Sequence, residues 1–447
     1  MNHDLTKGSV GKTLIRFSLP YLFSSFLQTF YGLVDLYVTG QFNGAGDISA
    51  VAIGSQVMHM LTVIIVGLAM GSTVNISLAA GRKQWKKAAG IIGNTALLFL
   101  GASLVLTVLL MVAVDGIVGI MSTPPEAAAQ ARAYLLICFG GIPFITAYNV
   151  ISCVFRGMGD SKSPMYFVGA ACVLNIGLDY LFIGGLDMGA AGAAWGTVIS
   201  QSVSVLIALV MLKRQKLGIQ LRKEDFRLQR QSMKSILTVG IPVACQDGFI
   251  QVSFLIITMI ANQRGVVIAA SVGIVEKIIG FLFLVPSAML SSISAIAAQN
   301  VGAGIHERAK KTLGYGIAIA AGFGICVGIV CQFASGPFVG LFSDDSEVVR
   351  MGAQYLRSYV WDCAAAGVHF CFSGFFCAYG KSGFSFLHNT ISIICVRIPG
   401  AYLASRLFPD SLYPMGWAPP AGSILSSLIC VGLYLAYRKR FFGAERG

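Results

Sequence analysis

The feature that most constrains this chain is its succession of long apolar stretches broken by short polar segments. A hydrocarbon core about 30 Å thick is crossed by roughly 20 apolar residues of helix. Stretches of that length fall at roughly 14–39, 50–79, 89–114, 130–155, 164–184 and 190–212. A second set falls at roughly 236–261, 267–298, 313–340, 353–377, 385–405 and 418–437. Charged residues make up 11% of the 447, too few to coat soluble domains, which carry roughly 25%. The 52 glycines follow no three-residue period, which excludes a collagen-like chain. The stretches do not alternate in tens, so a transmembrane barrel is disfavoured. The expected fold class is an all-α polytopic membrane protein with twelve transmembrane helices.

The net charge of +13 raises a nucleic-acid reading that fails on where the charges sit. Basic residues cluster between the apolar stretches, as the orientation bias of membrane proteins requires. With the amino terminus inside, inner segments hold 25 of the 32 Lys and Arg, outer segments hold five, and Lys277 and Arg397 fall at membrane depth. This excess puts both termini in the cytoplasm of a multi-pass protein of the inner (plasma) membrane. No cleavable signal peptide is evident, because the first dozen residues are polar and the first apolar stretch is long enough to span. The eleven cysteines form no CxxC pair and lie mostly in apolar stretches, so they read as reduced packing residues.

The two halves of the chain repeat each other. Phe17-Ser18-Leu19-Pro20 corresponds to Val239-Gly240-Ile241-Pro242, and the segment from Gly81 to Lys87 to that from Gly304 to Lys310. Val118-Gly119-Ile120-Met121-Ser122 recurs as Val339-Gly340-Leu341-Phe342-Ser343, and Tyr134-Leu135 as Tyr355-Leu356. Residues 1–212 then form an amino-terminal six-helix lobe, 213–235 a basic cytoplasmic linker in contact with membrane lipid, and 236–447 a carboxy-terminal six-helix lobe. A unit of six crossings returns to the side it started from, so its copy is parallel. Two such bundles around a central cleft make a frame suited to alternating access.

A carboxylate at the bilayer centre costs about 2.5–3.5 kcal/mol on insertion scales, so each one there needs a reason. Asp35, Asp179, Asp247, Glu276 and Asp362 fall inside the expected spans. In the repeat, Asp35 maps to Ile257, Asp179 to Gly400 and Asn175 to Val396, so the scaffold is built a second time without these groups. Asn175 and Asp179 share one helical face at i,i+4, and Tyr31 and Asp35 repeat that spacing on the first span. If the first and fifth spans meet, two carboxylates and an amide converge. Such a site holds a proton, or a sodium ion on hard oxygen ligands; the alternative is static hydrogen bonding between helices. Glu276 beside Lys277, and Asp362 with His369 and Arg397, read as charges that lock helices or as a second polar cluster. Asp247, one turn beyond Pro242, stands as a cleft-facing candidate. Pro20, Pro143, Pro242, Pro286 and Pro399 each free a carbonyl and can bend a helix.

Nothing in the sequence points to an enzyme. There is no Walker loop, no HExxH and no metal-ligand spacing of Cys or His, so no cofactor beyond a coupling H+ or Na+ is expected.

The chain resembles the multidrug and toxic compound extrusion (MATE) transporters from about Thr13 to Arg440. The resemblance is carried by Leu19-Pro20, Val34-Asp35, the segment Phe155-Arg156-Gly157-Met158-Gly159-Asp160-Ser161, the run Asn175-Ile176-Gly177-Leu178-Asp179-Tyr180-Leu181-Phe182-Ile183, and Gly189-Ala190-Ala191-Gly192-Ala193-Ala194 ahead of Thr197. With its amino-terminal acids intact, the chain is most similar to the DinF-like branch. The resemblance implies a V-shaped pair of lobes exporting small organic cations or amphipathic drugs by antiport against protons or sodium ions. It implies a cation site of Asp35, Asn175, Asp179 and Thr197, the same four residues being the metal ligands if sodium is the coupling ion. Tyr134 and Asn149 match polar positions near that site, and Tyr31 joins them through its spacing to Asp35. The NorM-like branch carries a glutamate in the seventh span where this chain has Gln246, Asp247, Ile250 and Gln251. Asp247, Glu276 and Lys277 therefore stand only as a candidate second-lobe polar site. The expected protein is a monomer that does not bind nucleic acid. The alternative within transport is a flippase for a lipid-linked glycan or other amphipathic lipid precursor, and outside transport a membrane assembly or receptor protein.

Overall fold

The computed structural model describes residues 4–121, 123–214 and 221–442, and among them the regular structure is helical throughout, with no strand. This follows from the sequence, because backbone groups inside a bilayer must be satisfied within the segment that carries them. In chain order the helices are α1 Val10–Phe42, α2 Ala45–Gly81, α3 Trp85–Ile120, α4 Pro125–Gly140, α5 Ile142–Gly157, α6 Lys162–Asp179 and α7 Gly189–Arg214. The second half runs α8 Arg230–Asn262, α9 Val266–Leu282, α10 Leu284–Gly302, α11 His306–Gly340, α12 Ser346–Tyr359, α13 Asp362–Ala378, α14 Ser382–Ser392, α15 Ile398–Leu407 and α16 Ala418–Phe442.

By length and composition, nine helical segments among the described residues can cross a membrane, or ten if the bent pair α4–α5 is one span. Two of the expected spans fall short of that apolarity. The middle of α1 carries Ser24, Ser25, Gln28, Thr29, Asp35 and Thr39, and the stretch from α14 to α15 carries His388, Asn389 and Arg397. The first of these dilutions includes Asp35, one of the residues that the repeat singles out.

The prolines act unequally. Pro143 has no N–H to donate to the Phe139 carbonyl, and the chain bends by 51° between α4 and α5. The freed carbonyl accepts instead from the Thr107 hydroxyl of α3 at 3.2 Å. Pro20 and Pro242 lie inside helices that continue past them. One π-helical turn, Tyr180–Gly185, follows α6, and another, Ile393–Arg397, joins α14 to α15. Each inserts a residue into the helical ladder, a device common at functional sites.

The chain divides into two compact units, one made of Leu19–Gly240 and the other of Asp4–Ser18 with Ile241–Gly447. In the first unit, α2 and α8 cross at two glycines: a Cβ on Gly71 would strike the Ile236 carbonyl, and one on Gly240 the Leu68 carbonyl. Of the basic linker expected at 213–235, residues 215–220 lie outside the described residues. The part that follows is held against α3, where the Asn94 side chain accepts from the Gln229 N–H at 2.7 Å and donates to the Arg227 carbonyl at 3.1 Å. The core here gathers Val38, Val51, Val114, Tyr134, Cys138, Ile183 and Ala193.

In the second unit the amino-terminal segment is tied down by backbone bonds. Gln299 accepts from the Leu5 N–H at 3.1 Å, and the Arg308 guanidinium donates to the Lys7 carbonyl at 2.7 Å. Its core gathers Ile257, Val275, Ile279, Tyr355, Tyr359, Cys363 and Ala401.

The glycine crossing gives a stability prediction. Gly240→Leu should lower the melting midpoint of the detergent-solubilised protein by several degrees, since overpacking costs about 1–3 kcal/mol. Gly101→Leu, where nothing lies within 4 Å of the added Cβ, should leave it unchanged. Equal midpoints for the two variants would contradict the close approach of α2 and α8.

Candidate functional site

The four residues expected at the cation site come from three helices of the first unit. Asp35 lies about two turns before the end of α1, Asn175 and Asp179 in the last turn and a half of α6, and Thr197 about two turns into α7. Two local features set their positions. The α7 start is fixed by Asp47 of α2, whose carboxylate accepts from the Ala190 N–H at 2.8 Å. Gly189 takes a φ of +53° there, in the left-handed region open to glycine. Gly196 then brings the α7 backbone against α6, where a Cβ would sit 2.5 Å from Asp179 Oδ1. On α6, the i,i+4 spacing puts Asn175 and Asp179 on one face, and the π-helical turn begins directly after Asp179.

All three polar groups of the centre are buried: Asp35 is 2% exposed, Asn175 1% and Asp179 0%. Asp179 and Asn175 are side-chain neighbours of Asp35. Thr197 Oγ1 donates to Asp35 Oδ2 at 3.3 Å, and Thr39 Oγ1 donates to the Asp35 carbonyl at 2.7 Å. The remaining atoms are unsatisfied. Asp35 Oδ1, both Asp179 carboxylate oxygens and both side-chain polar atoms of Asn175 have no hydrogen-bond partner. Among the described residues no Lys, Arg or His forms an ion pair with either acid.

Two facing carboxylates offer acceptors on both sides, so without a proton between them they make no hydrogen bond. A buried unpaired charge is far more costly than a paired one. Chemically, such an arrangement can be completed by a proton shared by the acids or by a small cation on carboxylate, amide and hydroxyl oxygens. Hard oxygen donors suit an ion such as sodium and not a soft transition metal. No cluster of three His, Cys, Asp or Glu side chains suited to a metal occurs among the described residues.

Around this centre, Tyr31 accepts a 3.0 Å bond from Gln201 Nε2, and the Tyr134 hydroxyl lies 3.2 Å from Ser55 Oγ. Asn149 is buried but turns back on its own helix, donating to the Ile145 carbonyl at 2.8 Å. Gln201, Ser55 and Gly196 were not singled out from sequence. Gln201 follows Thr197 at i,i+4, the same one-face spacing that marked Asn175 and Asp179, so that signal was present.

In the second unit the structure does not assemble Asp247, Glu276 and Lys277. Lys277 is exposed and Asp247 half-buried on α8. Glu276 turns to Thr258, whose hydroxyl donates to Oε2 at 2.9 Å, and no ion pair joins it to Lys277 among the described residues. The helical reason is simple: neighbours at i,i+1 point about 100° apart, so Glu276 and Lys277 leave α9 on different faces. Asp362 and Arg397 do approach, at 3.9 Å, while His369 bonds Ser423 at 3.3 Å instead.

The comparisons agree with this architecture. The family model described as MatE matches the chain twice, over residues 20–181 and 242–403, so that its bounds are offset by 222 residues at each end. The chain is similar to the probable multidrug resistance protein YpnP of Bacillus subtilis, 28% identical over 407 residues and covering 90% of both chains. It is similar to the multidrug export protein MepA of Staphylococcus haemolyticus, 25% identical over 90% of this chain and 88% of that one. Among solved structures, a MATE protein in complex with MaL6 superposes with a TM-score of 0.90, covering 100% of this chain and 99% of that one at 21% identity. An outward-facing multidrug resistance MATE family transporter of the MOP superfamily superposes with the same score, identity and coverage. At that identity the superpositions establish the fold. The two matches of the family model, one to each half, establish the rest: this chain belongs to the MatE family and is a multi-pass membrane transporter of the MATE type.

Proposed function

We propose that the protein is a secondary antiporter that exports cationic or amphipathic organic compounds in exchange for protons or sodium ions by alternating access. The observation that carries this reading is the pair of buried acids, Asp35 and Asp179, with five unsatisfied polar atoms between them and Asn175 and no ion-pairing Lys, Arg or His among the described residues. The names of the relatives, a multidrug resistance protein and a multidrug export protein, support the substrate class. The basic residues of the expected inner segments support a plasma-membrane protein with cytoplasmic termini.

Coupling needs a site whose affinity for the ion differs between two states of the protein. Cation binding at Asp35 and Asp179 neutralises the centre and stabilises one state of the first unit; substrate stabilises the other. By linkage each ligand then weakens the other. Entry of one positive charge at 100 mV contributes about 2.3 kcal/mol, enough for roughly a fiftyfold outward gradient of a neutral substrate.

In vesicles reconstituted with purified protein, ethidium efflux should be driven by one of two separately imposed gradients, pH or sodium. Asp35→Asn should abolish it while remaining folded. Efflux at the wild-type rate in Asp35→Asn would defeat the assignment. Absence of ethidium movement under either gradient, with folded wild-type protein, would favour a lipid-linked substrate instead.

The same geometry predicts a trade of activity for stability. Asp179→Asn gives Asp35 an amide donor and removes a charge from a dry site. Its melting midpoint should rise by the equivalent of about 1–3 kcal/mol while driven efflux is lost. A fall in the midpoint would show that the ionised Asp179 is already satisfied.

A further inference from the structure

The second unit carries a counterpart of the first unit's site, and a side chain fills it. The family-model frame, offset by 222 residues, sets Arg397 opposite Asn175 and Ala401 opposite Asp179, one residue on from the Val396 and Gly400 of the sequence comparison. The π-helical turn Ile393–Arg397 lies in this stretch, and an inserted residue there accounts for such a slip of frame. The helix that follows carries a similar pair, Gly196-Thr197 on α7 and Gly422-Ser423 on α16, each a glycine followed by a hydroxyl residue. Gly196 abuts the Asn175 and Asp179 side chains; Gly422 abuts Arg397, its added Cβ falling 3.4 Å from Arg397 Cβ.

The chemistry differs in where the acids stand and in what accompanies them. Among the described residues the centre of the first unit has two acids and no ion-paired cation, whereas the second has Asp362 and Glu276, on other helices, near a guanidinium. Arg397 is 6% exposed, 3.9 Å from Asp362 and bonded through Nη2 to the Tyr359 hydroxyl at 2.9 Å. Its guanidinium lies 4.9 Å from the centre of the Phe254 ring, and its charge acts on Glu276. Both oxygens of Asp362 lack a hydrogen bond, as those of Asp179 do. The positions of Asp35 and Asp179 are held by the apolar Ile257 and Ala401, both fully buried.

We infer that Arg397 is a tethered cation that permanently occupies the second unit's counterpart of the cation site and so confines ion exchange to the first unit. The inference rests on the reading of the first-unit centre as a cation site. A guanidinium suits the task because it stays charged at any pH the protein meets and presents a planar set of donors. Removing it leaves two buried carboxylates facing a cavity shaped for a cation, which an external cation of the same chemistry then enters.

The test uses thermal unfolding of the full-length protein in detergent, with guanidinium chloride as the probe at about 10 mM against an equal concentration of choline chloride. Arg397→Ala should melt several degrees below wild type in choline and recover at least half of that loss in guanidinium. Wild type should show no gain. An Arg397→Ala midpoint that is the same in both salts, or an equal gain by wild type, would overturn the inference. Should Arg397→Ala fail to fold, the double variant Arg397→Ala with Asp362→Asn decides the matter, because it restores the wild-type net charge of the cluster. It should fold, and a double variant as unstable as the single one would show that Arg397 acts by packing. This rescue reads the second unit alone, whereas efflux in Asp35→Asn reads the first, so either reading can fail without the other.

Discussion

The structure turns on the contact between two acidic side chains in a dry interior. Asp35 and Asp179 meet with one hydroxyl donor, that of Thr197, and no basic partner among the described residues. An unpaired carboxylate at membrane depth is tolerated only where a mobile positive charge, a cavity or a partner completes it. Helix packing places the acids together regardless: Gly196 lets α7 approach α6, and Asp47 fixes where α7 begins. The scaffold thus spends stability to keep two acids together in its interior.

The internal repeat gives that arrangement its control. The same succession of helices, with a π-helical turn on the fifth span of each half, is built once around unpaired acids and once around Arg397. Both versions are embedded in apolar cores that include a tyrosine of matching position, Tyr134 in one and Tyr355 in the other. The fold therefore does not need the acid pair, and its presence in one half marks a task separate from folding.

Much of this was legible in the sequence, for physical reasons that differ from residue to residue. Hydropathy located nine of the expected spans, or ten with the bent pair α4–α5, because the bilayer demands apolar length, and the i,i+4 spacing of Asn175 and Asp179 needed only helical geometry. Pro143 sits at a 51° bend where the helix breaks, while the helices that hold Pro20 and Pro242 continue past them, and proline chemistry alone does not distinguish the two outcomes. Gln201 and Ser55 escaped notice because ordinary polar residues on helices gain meaning only from what they face. Glu276 was grouped with Lys277 by adjacency, although successive residues on a helix point apart. The bounds of the family-model matches set Arg397 opposite Asn175, one residue from the Val396 that the sequence repeat gives, and the π-helical turn Ile393–Arg397 lies in that stretch.

The central claim is that the Asp35 and Asp179 centre binds the coupling cation in competition with substrate. The most direct test is ethidium binding to purified protein in weakly buffered detergent solution, with released protons followed by a pH-sensitive dye and sodium varied independently. The account predicts that ethidium binding either releases protons or weakens as sodium rises, and that Asp35→Asn loses this linkage while still binding ethidium. Ethidium binding that is indifferent to both pH and sodium in the wild type, or linkage that persists unchanged in Asp35→Asn, would contradict it.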